Sequence, residues 1–213
     1  MVNSLRSSLV LILLAGFAES ALATTYYIAP DGSDSNAGTF EAPWQTPFKA
    51  RDVLDAGDTV YFRQGTYKIT EFVYINGNDG TANAPIIWAS APGEEATIEY
   101  DRLTDQGEQT GWVFFVSRAH YHFERLRVSQ SARSRTALAT VPKDITAFTI
   151  WSPGVIVRDC ELFSLSGQGV FGSTGATNLL IERNHIHHID GVDRLKLAAP
   201  HGVYVNGKIV NNA

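Results

Sequence analysis

A chain of 213 residues with 22 acidic and 17 basic side chains carries a formal charge of −5. It contains no basic run, which excludes nucleic acid and anionic membrane as natural partners. Its single cysteine, Cys160, excludes an intrachain disulfide framework, so stability rests on burial and backbone pairing in one domain-sized chain.

Arg6 supplies a positive N-terminal flank, Leu9 to Ala18 is an apolar run, and Ala21-Leu22-Ala23 gives the small-x-small pattern of a cleavage site. That arrangement predicts a signal peptide over 1–23 and a mature chain beginning at Thr24. The apolar run is too short to span a bilayer. The expected location is secreted or periplasmic, with no membrane contact after cleavage.

Tyr26 to Ala29 reads as a strand, followed by an ordered Pro/Asp/Gly/Ser/Asn loop. Thr46-Pro47 starts a short helix, with the Thr46 hydroxyl as its cap and Phe48, Val53 and Leu54 on one face. The helix ends near Gly57. Val60 to Phe62, Phe72 to Ile75, Ile86 to Ala89 and Thr97 to Tyr100 are then short strand-like runs punctuated by Gly, Pro and Asn. No later segment shows a helical period.

A repeat emerges when FERLRV from Phe123, VRDCEL from Val157, IERNHI from Ile181 and IVNNA from Ile209 are stacked. Spacings in the twenties and thirties are those of a solenoid. A strand precedes each segment: Trp112 to Val116, Phe148 to Trp151, Gly169 to Gly172 and Gly202 to Val205. Each repeat thus reads as strand, turn, strand, loop, with Ser129 to Thr146 as an insertion. Phe123, Val157, Ile181 and Ile209 form one apolar column; Val128, Leu162 and Ile186 form another.

Between these columns the outward positions alternate in sign. Glu124, Arg158 and Glu182 make one ladder, Arg125, Asp159 and Arg183 a second, and Arg127, Glu161 and His185 a third. Same-position residues on stacked strands lie about 4.8 Å apart, where opposite charges gain about 0.2–1 kcal/mol per pair. Leu126, Cys160, Asn184 and Asn212 are expected to mark the bend between strands, since Asn suits tight turns. Cys160 then reads as a small buried turn residue rather than a nucleophile.

The segments APDGSDSNAGTFEAPWQT, DAGDTVYFRQGTY and NAPIIWASAPGEEATI resemble the N-terminal cap and first coil of pectate-lyase-like right-handed parallel β-helix proteins, nearest to polysaccharide lyase family 9. The resemblance covers most of the mature chain. It implies an all-β fold, a right-handed parallel β-helix with a short N-terminal capping helix. It also implies a β-elimination on a uronate-containing glycan, with Ca²⁺ held by an Asp cluster and a Lys as base. The comparable local set here is HHIDGVDRLK. Within it Asp190 and Asp193 take the part of metal ligands and Lys196 that of the catalytic base. Two carboxylates fall short of a Ca²⁺ cage, and a solvated loop between coils accounts for the same residues. His185, His187 and His188 lie too close in sequence for spacing alone to define a ligand set.

A column of outward aromatics suggests where a polysaccharide lies. If Val113, Phe148, Val170 and Val203 point inward, Phe114, Thr149, Phe171 and Tyr204 point outward, and Phe114, Phe171 and Tyr204 become substrate-binding residues. The competing reading is that these rings stack on one another or are covered by the 129–146 insertion. The chain stops at Asn211-Asn212-Ala213 without a segment to cap the last coil, so residues 24–213 read as the cap and first coils of a solenoid lacking its C-terminal coils. With those coils present a monomer is expected. The predicted function is an exported polysaccharide lyase or its N-terminal part. The alternative is a non-catalytic β-helix that binds glycan or serves as a surface scaffold.

Overall fold

The repeat winds into a parallel β-helix of about five coils, in which each strand pairs in parallel with its equivalent one coil on. This computed structural model describes residues 22–102, 110–137, 144–189, 202–204 and 208–210. At its N-terminal end stand β1 (Thr25–Ile28) and helix α1 (Pro47–Val53). The first coil is β2 (Thr59–Phe62), β3 (Gly65–Ile69) and β4 (Val73–Ile75); the second is β5 (Ile86–Ser90), β6 (Ala96–Tyr100) and β7 (Thr110–Val116). In the third, β8 (Tyr121–Glu124) and β9 (Leu126–Gln130) lead through helix α2 (Ala132–Ala137) to β10 (Asp144–Ile150). The fourth is β11 (Ile156–Arg158), β12 (Glu161–Leu165) and β13 (Val170–Gly172). The fifth is β14 (Leu180–Glu182), β15 (His185–Ile189) and β16 (Val203–Tyr204), and β17 (Lys208–Val210) opens the next.

Three sheets result. One runs β1-β2-β5-β8-β11-β14-β17, a second β4-β7-β10-β13-β16, and a third β3-β6-β9-β12-β15. The stacked columns hold: Phe123, Val157, Ile181 and Ile209 are successive partners, as are Val128, Leu162 and Ile186. The interior is a ladder of large side chains, with Phe62, Trp88, Phe123, Phe114 and Phe148 fully buried and ring against ring. Burial of each such side chain contributes about 1.5–3 kcal/mol.

The coil has three strands where two were expected. Each FERLRV-type hexamer holds a complete corner, because Arg125, Asp159 and Arg183 take left-handed backbone with φ of 55°, 54° and 53°. The bend therefore sits one residue before the expected Leu126, Cys160, Asn184 column. Those three residues are instead buried immediately after the corner. There Asn184 Oδ1 accepts from the Cys160 amide at 3.0 Å and its Nδ2 donates to the Val157 carbonyl at 2.9 Å. Asn thus serves the bend by satisfying backbone groups beside it.

Two further expectations change. The Ser129 to Thr146 insertion is not one loop: its ends complete β9 and begin β10, and α2 lies between them. At α1 the Thr46 hydroxyl makes no cap hydrogen bond. It donates to Asp34 Oδ2 at 2.6 Å, while Asp34 Oδ1 accepts the amides of Gln45 and Thr46, both at 2.9 Å. Burial alone would raise the Asp34 pKa, but these bonds outweigh it and hold the carboxyl below its ordinary range. Asp34 thereby ties the loop after β1 to the start of α1, which packs against β4.

Candidate functional site

The second sheet carries an aromatic groove on its outer face. Strand pairing aligns Val73, Phe114, Phe148, Val170 and Val203 on the inside, and Tyr74, Phe115, Thr149, Phe171 and Tyr204 on the outside. The inward reading of Val113, Phe148, Val170 and Val203 is correct. That of Phe114 as a substrate-binding residue is not: it is fully buried, stacked on Phe148 at 5.0 Å. Val113 and Phe114 are consecutive residues that both enter the core, so strict alternation from Val113 wrongly sends Phe114 outward. Phe115 takes the outward place.

Around Phe115 gather rings from three coils. Tyr74 stacks on it at 4.6 Å and 16°, Trp112 lies at 4.8 Å and Trp151 at 5.7 Å. One coil further, Phe171 and Tyr204 are parallel to within 5° at 5.8 Å. Tyr74, Trp151 and Tyr204 are 40%, 56% and 57% exposed, unusual for rings of this size unless something covers them. Between Tyr74 and Phe171 these rings, with Ser117, Thr146, Thr149 and Gln168, line a groove of about 720 Å³.

The described lining carries no group charged at neutral pH. It offers apolar ring faces with a few hydroxyls and one amide, the composition that grips the apolar face of a pyranose while leaving hydroxyl partners within reach. Tyr74, Phe115, Trp112 and Trp151 were missed from the sequence. The signal was present, since all four lie in or beside strands of the same sheet, but it becomes visible only once the coil-to-coil register is fixed.

The charged ladders occupy the other outer faces. Arg158 Nη2 donates to Glu124 Oε1 at 2.5 Å, Arg183 grips Asp159 at 2.7 and 2.8 Å, and Arg127 Nε reaches Glu161 Oε2 at 2.5 Å. The Arg183 hydrogen bonds hold the Asp159 carboxyl below its usual range. Arg125, whose corner position turns it aside, pairs with its neighbour Glu124 at 3.1 Å. Cys160 is buried, and burial pushes its thiol up to about 12, which leaves no thiolate for nucleophilic chemistry at neutral pH.

Asp190, Asp193 and Lys196 lie outside the described residues. Among the described residues the group of metal-ligand type is Glu161 with His185 and His187. One carboxylate and two imidazoles do not fit Ca²⁺, which takes six to eight oxygen ligands. The expected signal peptide also falls almost wholly outside the described residues. Among those described, no helix is long and apolar enough to cross a membrane.

Comparison with known proteins places this geometry in context. Residues 26–199 match the model of a Pel9A-like right-handed β-helix region. Over 84 residues the chain is 42% identical to a pectate lyase of Emericella nidulans, covering 39% of this chain and 20% of that protein. Over 216 aligned residues it is 36% identical to a lacto-N-biosidase of Bifidobacterium longum, covering 85% of this chain and 13% of that one. A solved rhamnogalacturonan lyase superposes with a TM-score of 0.54 at 18% identity, over 88% of this chain and 51% of its own. That last likeness shows the fold alone. The chain spans at most about half the length of these proteins. With the family model matching most of its length, the chain belongs to the Pel9A-like right-handed β-helix family.

Proposed function

We propose that this protein is an exported, polysaccharide-active β-helix that seats a glycan along the aromatic groove of its second sheet. The observation that carries the reading is the stacked outward column Tyr74, Phe115, Thr149, Phe171 and Tyr204, flanked by Trp151. Rings at coil spacing on a flat sheet provide successive platforms for successive sugars. Phe171 and Tyr204 keep their proposed contact roles, and Tyr74, Phe115 and Trp151 join them. The family supports the reaction class: removal of the proton α to a uronate carboxylate, with departure of the glycosidic oxygen. Lys196 is the proposed base, and Asp190 and Asp193 are the proposed ligands of a cation beside the substrate's acid group.

A second reading, a non-catalytic glycan-binding or scaffold β-helix, is favoured by a described groove lining that holds no carboxylate, imidazole, amine or thiol. One experiment separates the two. The secreted chain is assayed by ultraviolet absorbance for unsaturated products on pectate and alginate, with and without Ca²⁺, and by affinity electrophoresis on the same polymers and on neutral glycans. Product formation that Lys196→Ala abolishes supports the lyase. Retention without product, weakened by Trp151→Ala and Tyr204→Ala, supports the binder. Neither product nor retention on any polymer overturns both.

A further inference from the structure

The third sheet brings together a set of side chains that the charge ladder explains only in part and the glycan groove not at all. On β12 and β15, Glu161 is the register partner of His185, and Phe163 that of His187. Alternate residues of a strand project to the same side, and these do: the His185 and His187 rings are 4.2 Å apart, and His187 Nε2 lies 3.0 Å from Glu161 Oε1. Donor atoms of Glu161, His185 and His187 all lie within 4.8 Å of one another. A zinc ion with bonds of about 2.0–2.2 Å holds its ligands roughly 3.3 Å apart. The Glu161–His187 contact is therefore already one edge of a coordination polyhedron.

The surroundings hold two of these ligands in orientation. Arg127 Nε occupies Glu161 Oε2 at 2.5 Å and leaves Oε1 toward the histidines. His187 Nδ1, the nitrogen facing away from Glu161, sits 2.6 Å from His188 Nδ1. That contact is possible because His188 has φ of 52°, which breaks the alternation that would place it on the opposite side. A ligating imidazole anchored through its other nitrogen, and a ligating carboxylate held through its other oxygen, are the usual supports of a metal site. Solvent reaches the cluster: the side chains of Glu161 and His187 are about a quarter exposed, and His185 is more open.

We propose that Glu161, His185 and His187 bind a transition-metal dication of the zinc class, on a face of the coil separate from the aromatic groove. Two imidazoles and one carboxylate select such ions over Ca²⁺ and leave a coordination position open to water or ligand. The site stands independently of glycan binding, since the two share no residue.

The test uses the untagged full chain, stripped with chelator and titrated with zinc chloride by calorimetry at neutral pH. The expected result is one zinc per chain, bound as tightly with calcium present as without it, and an affinity lowered at least about tenfold by His185→Ala or His187→Ala. His188→Ala should lower it by about 10-fold, the low end for the anchor of a ligand. His122→Ala, on another sheet, leaves it unchanged. Unliganded melting curves accompany every variant; where an alanine variant melts early, the near-isosteric Glu161→Gln replaces it, with the same loss expected. Failure of the wild-type chain to bind zinc, or equal binding by the wild type and a folded ligand variant, overturns the proposal and leaves the cluster as a charge ladder only.

Discussion

Phe114 lies inside the coil with its ring 5.0 Å from that of Phe148 and 9° from parallel, while the next residue, Phe115, faces outward against Tyr74. Two adjacent phenylalanines therefore report on different properties. Phe114→Ala opens a cavity in the core and is expected to cost about 3–5 kcal/mol of stability. Phe115→Ala should cost less and instead weaken glycan retention. Urea denaturation paired with affinity electrophoresis checks both. Weakened retention in Phe114→Ala with an unchanged denaturation midpoint would contradict the register.

The division between what the sequence makes legible and what it hides follows from this same pair. The columns through Phe123 and Val128 were readable because three hexamers of similar chemistry repeat, and the ladder from Arg127 to Glu161 followed from their alignment. The second sheet has no such internal marker. Its strands vary from two residues in β16 to seven in β7 and β10. Trp112 and Phe115 both face the groove, although residues three apart should fall on opposite faces of a strictly alternating strand. A period-two rule consequently misplaces Phe114. The corner at Arg125, Asp159 and Arg183 was hidden for a different reason: only Asp159 is of a type enriched in left-handed backbone, and the two Arg on either side of it are not. The Glu161–His185 pairing was legible in the third ladder, whereas the approach of His187 to Glu161 and the left-handed turn of His188 are not revealed by spacing.

Asn184 is predicted to be the most sensitive polar residue of the described interior. It is buried and bridges two coils, accepting from the Cys160 amide and donating to the Val157 carbonyl. Asn184→Ala strands one buried donor and one buried acceptor, for an expected loss of about 1–3 kcal/mol for each unsatisfied group. Asn184→Asp retains only the accepting half and should also destabilise the fold. Thermal melts of the two variants give the comparison. A wild-type midpoint in Asn184→Ala would show that backbone groups at the corner find other partners.

Cys160 should be inert in the folded chain. Burial pushes its thiol up to about 12, and the sulfur lies 3.3 Å from the Arg158 carbonyl and 3.5 Å from that of Phe123. Thiolate is the reactive form. At pH 8 a thiol-specific chromogenic reagent is therefore expected to give no signal over minutes, and one equivalent per chain once guanidinium unfolds the protein. Rapid labelling of the native chain would mean that the corner opens locally on that timescale.

Asp101 makes the fold's acid sensitivity predictable in sign. Arg133 donates to Asp101 Oδ1 at 2.8 Å and to Oδ2 through its other guanidinium nitrogen, and the Ser131 hydroxyl also binds it. The Arg133 hydrogen bonds, opposed by burial and assisted by Ser131, hold the carboxyl at about 2, below its ordinary 3.8. A depressed folded-state pKa means that the unfolded chain takes up the proton first as the solution is acidified. The stabilisation is complete above the unfolded value and is lost as pH falls from about 4 toward about 2. Asp101→Asn, which keeps the shape and discards the charge, should lower stability by about 1–3 kcal/mol at pH 7. Its deficit relative to the wild-type chain should shrink across that same acid window. Because other carboxylates titrate in both proteins, the difference between the two denaturation midpoints, measured from pH 7 to pH 2, isolates Asp101. A deficit that stays constant through the window would mean that packing around Asp101, rather than its charge, holds β6 to the start of α2.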